Sequence, residues 1–193
     1  MNLKNKKILI TGASFIGIHL IEKLINENVK SIRVVNLTNK SRETIKKKFS
    51  REIEFYHRDL RDISQAKKSI KGMDIVFHLA ADHGGRGYVA LRQGNTSSNF
   101  LLDGAIFKAC LDEEVEKIFY ASSGCVYPNY LQNTQDEVYL KENDVKAPYD
   151  ADNIYGWAKL MGELTLKTYY KDFGLKSAIG RFFTVYGPYA KES

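Results

Sequence analysis

The sequence predicts a doubly wound α/β domain, a parallel sheet covered by helices on both faces in three αβα layers. Two patterns carry this reading. Six short apolar runs of strand length recur along the chain, and segments of helical period separate them. The first run also ends in a glycine-bearing turn that opens directly into a helix. Strands alternating with helices mean βαβ units. The expected strand order is 3-2-1-4-5-6, with a ligand lying across the carboxyl ends of strands 1 and 4.

Lys7–Thr11 is the first strand, and Gly12-Ala13-Ser14 breaks it. From Phe15 a helix is expected, because Ile16, Leu20 and Leu24 recur at helical spacing with Ile21 and Ile25 beside them. Residues 32–35 and 53–56 read as the second and third strands. Asp59-Leu60-Arg61-Asp62 leads into a helix running through Ala66 to Ile70. Residues 74–80 form a buried fourth strand, residues 99–111 a long helix, and residues 117–121 the fifth strand. Tyr155 lies near the start of a helix reaching about residue 170, and residues 176–183 form the sixth strand. Two long connections, 82–98 and 129–148, are expected over the carboxyl edge, where such loops are often functional.

With 193 residues, 44% hydrophobic and 27% charged, one globular domain with a sizeable core is expected. The net charge of +6 includes a Lys/Arg excess between Lys40 and Arg58, read as a solvated helix face. No recognition motif accompanies it, so a nucleic-acid partner is not expected. Cys110 and Cys125 make no disulfide framework. No signal peptide, membrane-spanning run or metal-ligand set is expected, and the expected compartment is the cytoplasm.

Tyr155 and Lys159 stand four apart, on one face of their helix. An ammonium beside a phenol favours the phenolate, which can take a proton from a hydroxyl near neutral pH. In a chain with 12 tyrosines such a pair arises by chance about once, so its context decides.

That context is Thr11-Gly12 to Gly17, His78-Leu79-Ala80-Ala81, Ala121-Ser122-Ser123, and Tyr155 with Lys159, in this order. Asp59 with Asp62, Arg181-Phe182-Phe183 and Tyr186-Gly187-Pro188 fit the same pattern. Together they resemble the extended short-chain dehydrogenase/reductase family, in its sugar-nucleotide epimerase and dehydratase group, over essentially the whole chain. The resemblance implies a Rossmann fold with NAD as cofactor. Gly12 and Gly17, with Ser14, Phe15 and Ile16 between them, would shape the turn under the pyrophosphate at a helix N-terminus. Asp59 and Leu60 would sit by the adenine. Leu79, Ala80, Ala81, Asn99 and Phe182 would line the cofactor cleft. Ser123 would hold the reacting sugar oxygen, Tyr155 would be the acid/base, and Lys159 would bind the nicotinamide ribose and lower the Tyr155 pKa.

Residues 79–88, with Gly84, Gly85 and Arg86, and residues 120–128 are similar to GDP-mannose 3,5-epimerases. In those enzymes the position of Cys125 is an acid/base for epimerisation beside a ketone. Residues 181–188 are similar to UDP-glucuronate 4-epimerases, except that Thr184 stands where most relatives hold the substrate with Asn.

The chain also departs from the family. Its glycine turn is one residue short of Gly-x-x-Gly-x-x-Gly and lacks the middle glycine. Asn36 stands where an acid usually holds the adenosine ribose. Lys40 and Arg42 follow, which raises NADP as an alternative, but surface charge is the favoured reading and NAD the expected cofactor, bound weakly. Relatives continue well past residue 193, so residues 1–193 are expected to be the NAD-binding domain, with the C-terminal substrate domain largely absent. The expected function is NAD-dependent epimerisation of a nucleotide-activated sugar through a keto intermediate. The alternatives are a dehydratase or reductase on a similar substrate, or a non-catalytic dinucleotide-binding module. The expected partners are a nucleotide sugar and a second copy of the chain, paired through the Tyr155 and Asn99 helices.

Overall fold

The structure, a computed structural model, describes residues 3–49, 52–132, 134 and 137–190. Met1, Ser193 and parts of the connection after Asn129 lie outside these. In chain order the elements begin β1 (Lys7–Thr11), α1 (Phe15–Asn26), β2 (Ser31–Asn36), α2 (Arg42–Lys48), β3 (Glu54–His57), α3 (Ile63–Ile70) and β4 (Ile75–His78). Then follow α4 (Arg86–Leu91), α5 (Gln93–Thr96), α6 (Ser98–Asp112), β5 (Lys117–Ser123), α7 (Asn129–Gln132), α8 (Asn153–Phe173) and β6 (Lys176–Phe182). Short 3-10 segments at Gly124–Val126 and Glu142–Asp144 interrupt the connection from β5 to α8.

The six strands form one sheet in the expected order β3-β2-β1-β4-β5-β6. Every neighbouring pair is parallel. Register alternates the side chains between two cores. On one face Ile8 and Ile10 of β1, Val34 of β2 and Ile75 of β4 pack with Ile18, Ile21 and Leu24 of α1 and Ile45 of α2. On the other, Leu9, Val76, Ile118 and Tyr120 pack with Ala66 and Ile70 of α3, Ile106 and Phe107 of α6 and Leu166 of α8. A third cluster seats Leu160 of α8 on Val126 and Tyr127, just beyond β5.

Local chemistry fixes the element ends. Asp62 caps α3, its carboxylate accepting from the backbone N–H of Ser64 at 2.7 Å and of Gln65 at 3.3 Å. Gly174, at φ +76°, ends α8 in the left-handed conformation that glycine adopts without strain. The basic stretch after Lys40 is partly α2, whose one buried side chain is Ile45. Several boundaries differ from the sequence reading. β5 runs two residues further, to Ser123, while β4 stops at His78 and β6 at Phe182. The segment 82–98 contains α4 and α5, and α8 extends to Phe173.

Candidate active site

The site is assembled at the carboxyl edge of the sheet. At the end of β1, Gly12 has φ +73°, and a Cβ there would stand 2.5 Å from the backbone N and Cα of Ala80. Glycine is required because the chain turns left-handed where it passes beside the end of β4. Gly17 lets α1 close on the turn, since a Cβ there would meet that of Ala13 at 2.8 Å. Ser14 is exposed, and among the described residues no side chain caps α1. Its first-turn N–H groups at Phe15, Ile16 and Gly17 therefore keep the donor character that suits a pyrophosphate.

Asn36 is placed differently from its expected role at a ribose. Its amide accepts from Ala13 N–H at 2.8 Å and donates to Ala13 C=O at 3.0 Å and to Ser41 Oγ at 2.7 Å. It fastens the shortened turn to the end of β2. Asp59, expected by the adenine, is forked by the Arg61 guanidinium at 2.6–3.1 Å, which holds its carboxyl below the ordinary carboxylate range. Leu60 is buried in the core beside β2.

Past β4, Leu79, Ala80, Ala81 and Asp82 are half-buried. Asn99 is wholly buried. Its Oδ1 accepts from Asp82 N–H at 2.8 Å, and its Nδ2 donates to Asp82 C=O at 2.9 Å and Thr96 C=O at 2.8 Å. It thus fixes the cleft wall from behind. Gly84 packs under Tyr88, whose hydroxyl donates to Asp82, while Gly85 and Arg86 are exposed at the start of α4.

Ser123 ends β5, and its Oγ accepts from Cys125 N–H at 3.1 Å. The chain then coils into the 3-10 turn Gly124–Val126 rather than staying extended, so Ser123 and Cys125 are not related as same-face strand residues. Helix α8 comes very close to this turn. A Cβ at Gly156 would lie 2.4 Å from the Cys125 carbonyl oxygen, and one at Gly162 2.4 Å from the Tyr120 hydroxyl. These two glycines allow Tyr155 and Lys159 to be pressed onto the strand edge. Burial, reinforced by the Cys125 thiol and the Asp103 carboxylate and opposed by a hydrogen bond from Ser123, raises the Tyr155 phenol to about 12. The expected lowering by Lys159 is therefore not seen. Lys159 is 2% exposed, and its ammonium lies 5.9 Å from the Tyr155 ring centroid and 4.7 Å from that of Tyr120. Burial lowers its pKa, against the pull of Asp103.

Two buried polar networks complete the edge. In one, Thr11 Oγ1 and His78 Nδ1 are 2.7 Å apart, His78 Nε2 is 2.9 Å from Asp103 Oδ1, the Tyr120 hydroxyl donates to Asp103 Oδ2 at 2.5 Å, and Lys159 Nζ stands 4.0 Å from that oxygen. In the other, Glu163 accepts from Ser122 Oγ at 2.6 Å and from the Arg181 fork at 2.9 and 2.7 Å. Sequence reasoning missed Asp103 and Glu163. Asp103 was detectable as an acid in register with Ile106 and Cys110 on the apolar face of α6, and Glu163 as an acid one turn beyond Lys159. Phe182 is half-buried at the end of β6, its ring centroid 6.3 Å from that of Phe119, and Thr184 is exposed. Among the described residues no cluster of His, Cys, Asp and Glu is arranged to hold a metal, and no helix is long and apolar enough to cross a membrane.

Known proteins are similar in sequence and in fold. GDP-mannose 3,5-epimerase of Arabidopsis thaliana is 36% identical over 96% of the chain and 48% of its own length. A putative UDP-glucose 4-epimerase of Methanocaldococcus jannaschii is 35% identical over 93% and 56%. A UDP-N-acetylglucosamine 4-epimerase from Methanobrevibacter ruminantium M1, solved in complex with UDP-N-acetylmuramic acid, superposes with a TM-score of 0.80 at 27% identity, over 97% of this chain and 58% of that one. The chain thus spans about half the length of the curated relatives it matches. The NAD dependent epimerase/dehydratase family model matches residues 8–193, so with its glycine turn, parallel sheet and Ser123–Tyr155–Lys159 edge the chain belongs to that NAD-using family.

Proposed function

We propose that the chain is the cofactor half of an enzyme that epimerises a nucleotide-activated sugar through a keto intermediate, with Tyr155 as acid/base. The observation that carries this reading is the convergence of Ser123, Tyr155 and buried Lys159 where β5 and α8 meet. The uncapped N-terminus of α1 above Gly12 fits the pyrophosphate of NAD, with the small, half-buried side chains of Ala80 and Ala81 beside it. NAD, when bound, supplies the hydride acceptor and donor. Ser123 holds the reacting sugar oxygen while Tyr155 takes its proton and later returns it. Burial raises the phenol to about 12, which favours the acid form, and a positive charge beside it would favour the base. NAD is favoured over NADP because Arg42 is drawn over the Phe55 ring, 5.8 Å from its centroid, and Lys40 is exposed. Gly84, Gly85, Arg86 and Thr184 are proposed to contact the substrate, and Cys125 to be a second acid/base. Exposed Phe100 and Leu101 on α6 and Trp157 and Met161 on α8 favour pairing with a second copy through these helices.

The test is to mix NAD and the protein with GDP- and UDP-sugars and follow epimer formation by NMR. An epimer is expected from at least one of them with a complete form of the enzyme, and little or none with residues 1–193 alone, which leave few groups to hold the nucleotide end of the substrate. NAD binding by the complete form without epimer or reduced nicotinamide from any sugar favours the non-catalytic module. A dehydrated product favours the dehydratase.

A further inference from the structure

The polar chain behind the active edge has a direction. Ala80 N–H donates to Thr11 Oγ1 at 3.3 Å, which leaves the Thr11 hydroxyl proton for His78 Nδ1. His78 Nδ1 is then the bare nitrogen, and Nε2–H donates to Asp103 Oδ1. Burial keeps this ring neutral. Asp103 therefore accepts two neutral hydrogen bonds, from His78 and Tyr120, and neither supplies positive charge. Asp103 is 3% exposed and Lys159 2%, and their charged atoms are 4.0 Å apart. Two ions so buried are each expensive alone and tolerable only as a pair.

We propose that Asp103 is a positioning residue of the site: as counter-ion of Lys159 it holds the ammonium back against the Tyr120 ring, so that Tyr155 rests as a protonated phenol. The inference rests on the proposed acid/base role of Tyr155, but concerns where its proton sits rather than turnover. The charges balance only one way. Glu163, buried one turn beyond Lys159, is already matched by the Arg181 fork. That leaves Lys159 and Asp103 as the remaining buried pair, and the edge is neutral when Tyr155 keeps its proton. Remove Asp103, and tyrosinate becomes the anion left to compensate Lys159. The groups that bear on Tyr155 from the surrounding elements are consistent with this. Asp103 from α6 and the Cys125 thiol from the 3-10 turn both oppose its ionisation, Ser123 from β5 favours it, and Tyr120 from β5 and His78 from β4 are neutral partners of Asp103. Burial pushes the Asp103 carboxyl up, yet Lys159 and the two hydrogen bonds hold it below the ordinary value.

The test is an NMR titration of protein carrying 13Cζ-labelled tyrosine, with the Tyr155 signal assigned by its loss in Tyr155→Phe. In the parent protein this signal should titrate well above the exposed tyrosines. In Asp103→Asn it should titrate at least about one pH unit lower, the scale on which one near charge acts. An unchanged Tyr155 titration in folded Asp103→Asn overturns the proposal. Lys159→Met with 13Cγ-labelled aspartate gives a second arm should that variant not fold. Asp103 should then take up its proton at least about one unit higher, and an unmoved Asp103 titration overturns the proposal equally. Neither arm uses cofactor or substrate. Full turnover by Tyr155→Phe would remove the acid/base reading and leave both titrations meaningful.

Discussion

The side-chain amide of Asn36 brackets Ala13, taking its N–H at 2.8 Å and giving to its C=O at 3.0 Å. One planar group at the end of β2 thus stands in for a backbone ladder and pins a turn that lacks its middle glycine. Two partly buried hydrogen bonds of this kind are worth about 1–3 kcal/mol together. Asn36→Ala should lower unfolding stability by that amount, read from the urea midpoint. It should also weaken NAD binding in calorimetric titration, because the α1 donors lose their fixed geometry. Unchanged NAD affinity would show that the bracket serves the fold alone.

Gly156→Ala should be destabilising although alanine is the better helix former. Its Cβ would stand 2.4 Å from the Cys125 carbonyl oxygen, which also accepts from Asp152 N–H at 2.9 Å. Backbone on both sides leaves little to yield, so α8 must shift. Overpacking of this sort costs about 1–3 kcal/mol, and denaturant unfolding measures it. A gain in stability would mean that the approach of α8 to the 3-10 turn is looser than described.

His78 sets an acid limit. Burial lowers its pKa from 6.5, so below that pH the unfolded chain takes up a proton that the folded ring refuses. Stability should therefore be constant above about neutrality and fall as pH drops through 6.5, by up to about 1.4 kcal/mol per pH unit. Asp103, held below 3.8, acts only at lower pH. Urea midpoints between pH 8 and 5 should fall less steeply in His78→Gln, which keeps a donor for Asp103 but does not titrate there. His83, whose pKa burial also lowers, contributes the remaining slope.

Strand order and both helical layers were legible because short apolar stretches alternate with long helices that carry an apolar stripe, as in Leu20 to Leu24 of α1. Tyr155 with Lys159 was legible because helical spacing alone puts them together. The use made of Asn36 was not. An asparagine at a strand end reads equally as a ribose ligand or a turn clamp until the position of Ala13 is known. Nor was the resting state of Tyr155 legible, because it depends on Asp103, 52 positions away in sequence and brought in only by α6 packing on α8. The bend at Gly124–Val126 was hidden because the strand pattern runs up to it without interruption.

Cys125 separates two sugar chemistries. A 3,5-epimerase must remove and return a C–H proton beside the ketone, whereas a 4-epimerase needs only hydride return to the other face. If the cysteine is that second acid/base, Cys125→Ala in a complete form of the enzyme should abolish solvent-deuterium incorporation at sugar C3 and C5 while leaving NAD reduction measurable. Epimerisation at C4 without deuterium uptake by the parent protein would make Cys125 a bystander.

The central claim is that Tyr155 moves the proton that accompanies hydride transfer to NAD. It is tested most directly by single-turnover formation of reduced nicotinamide, with the most responsive nucleotide sugar, in a complete form of the enzyme and in its Tyr155→Phe variant shown by calorimetry to bind NAD. Loss of a positioned general acid/base should slow this step by about 10²–10⁴-fold. A Tyr155→Phe protein that reduces NAD at the parent rate would contradict the account.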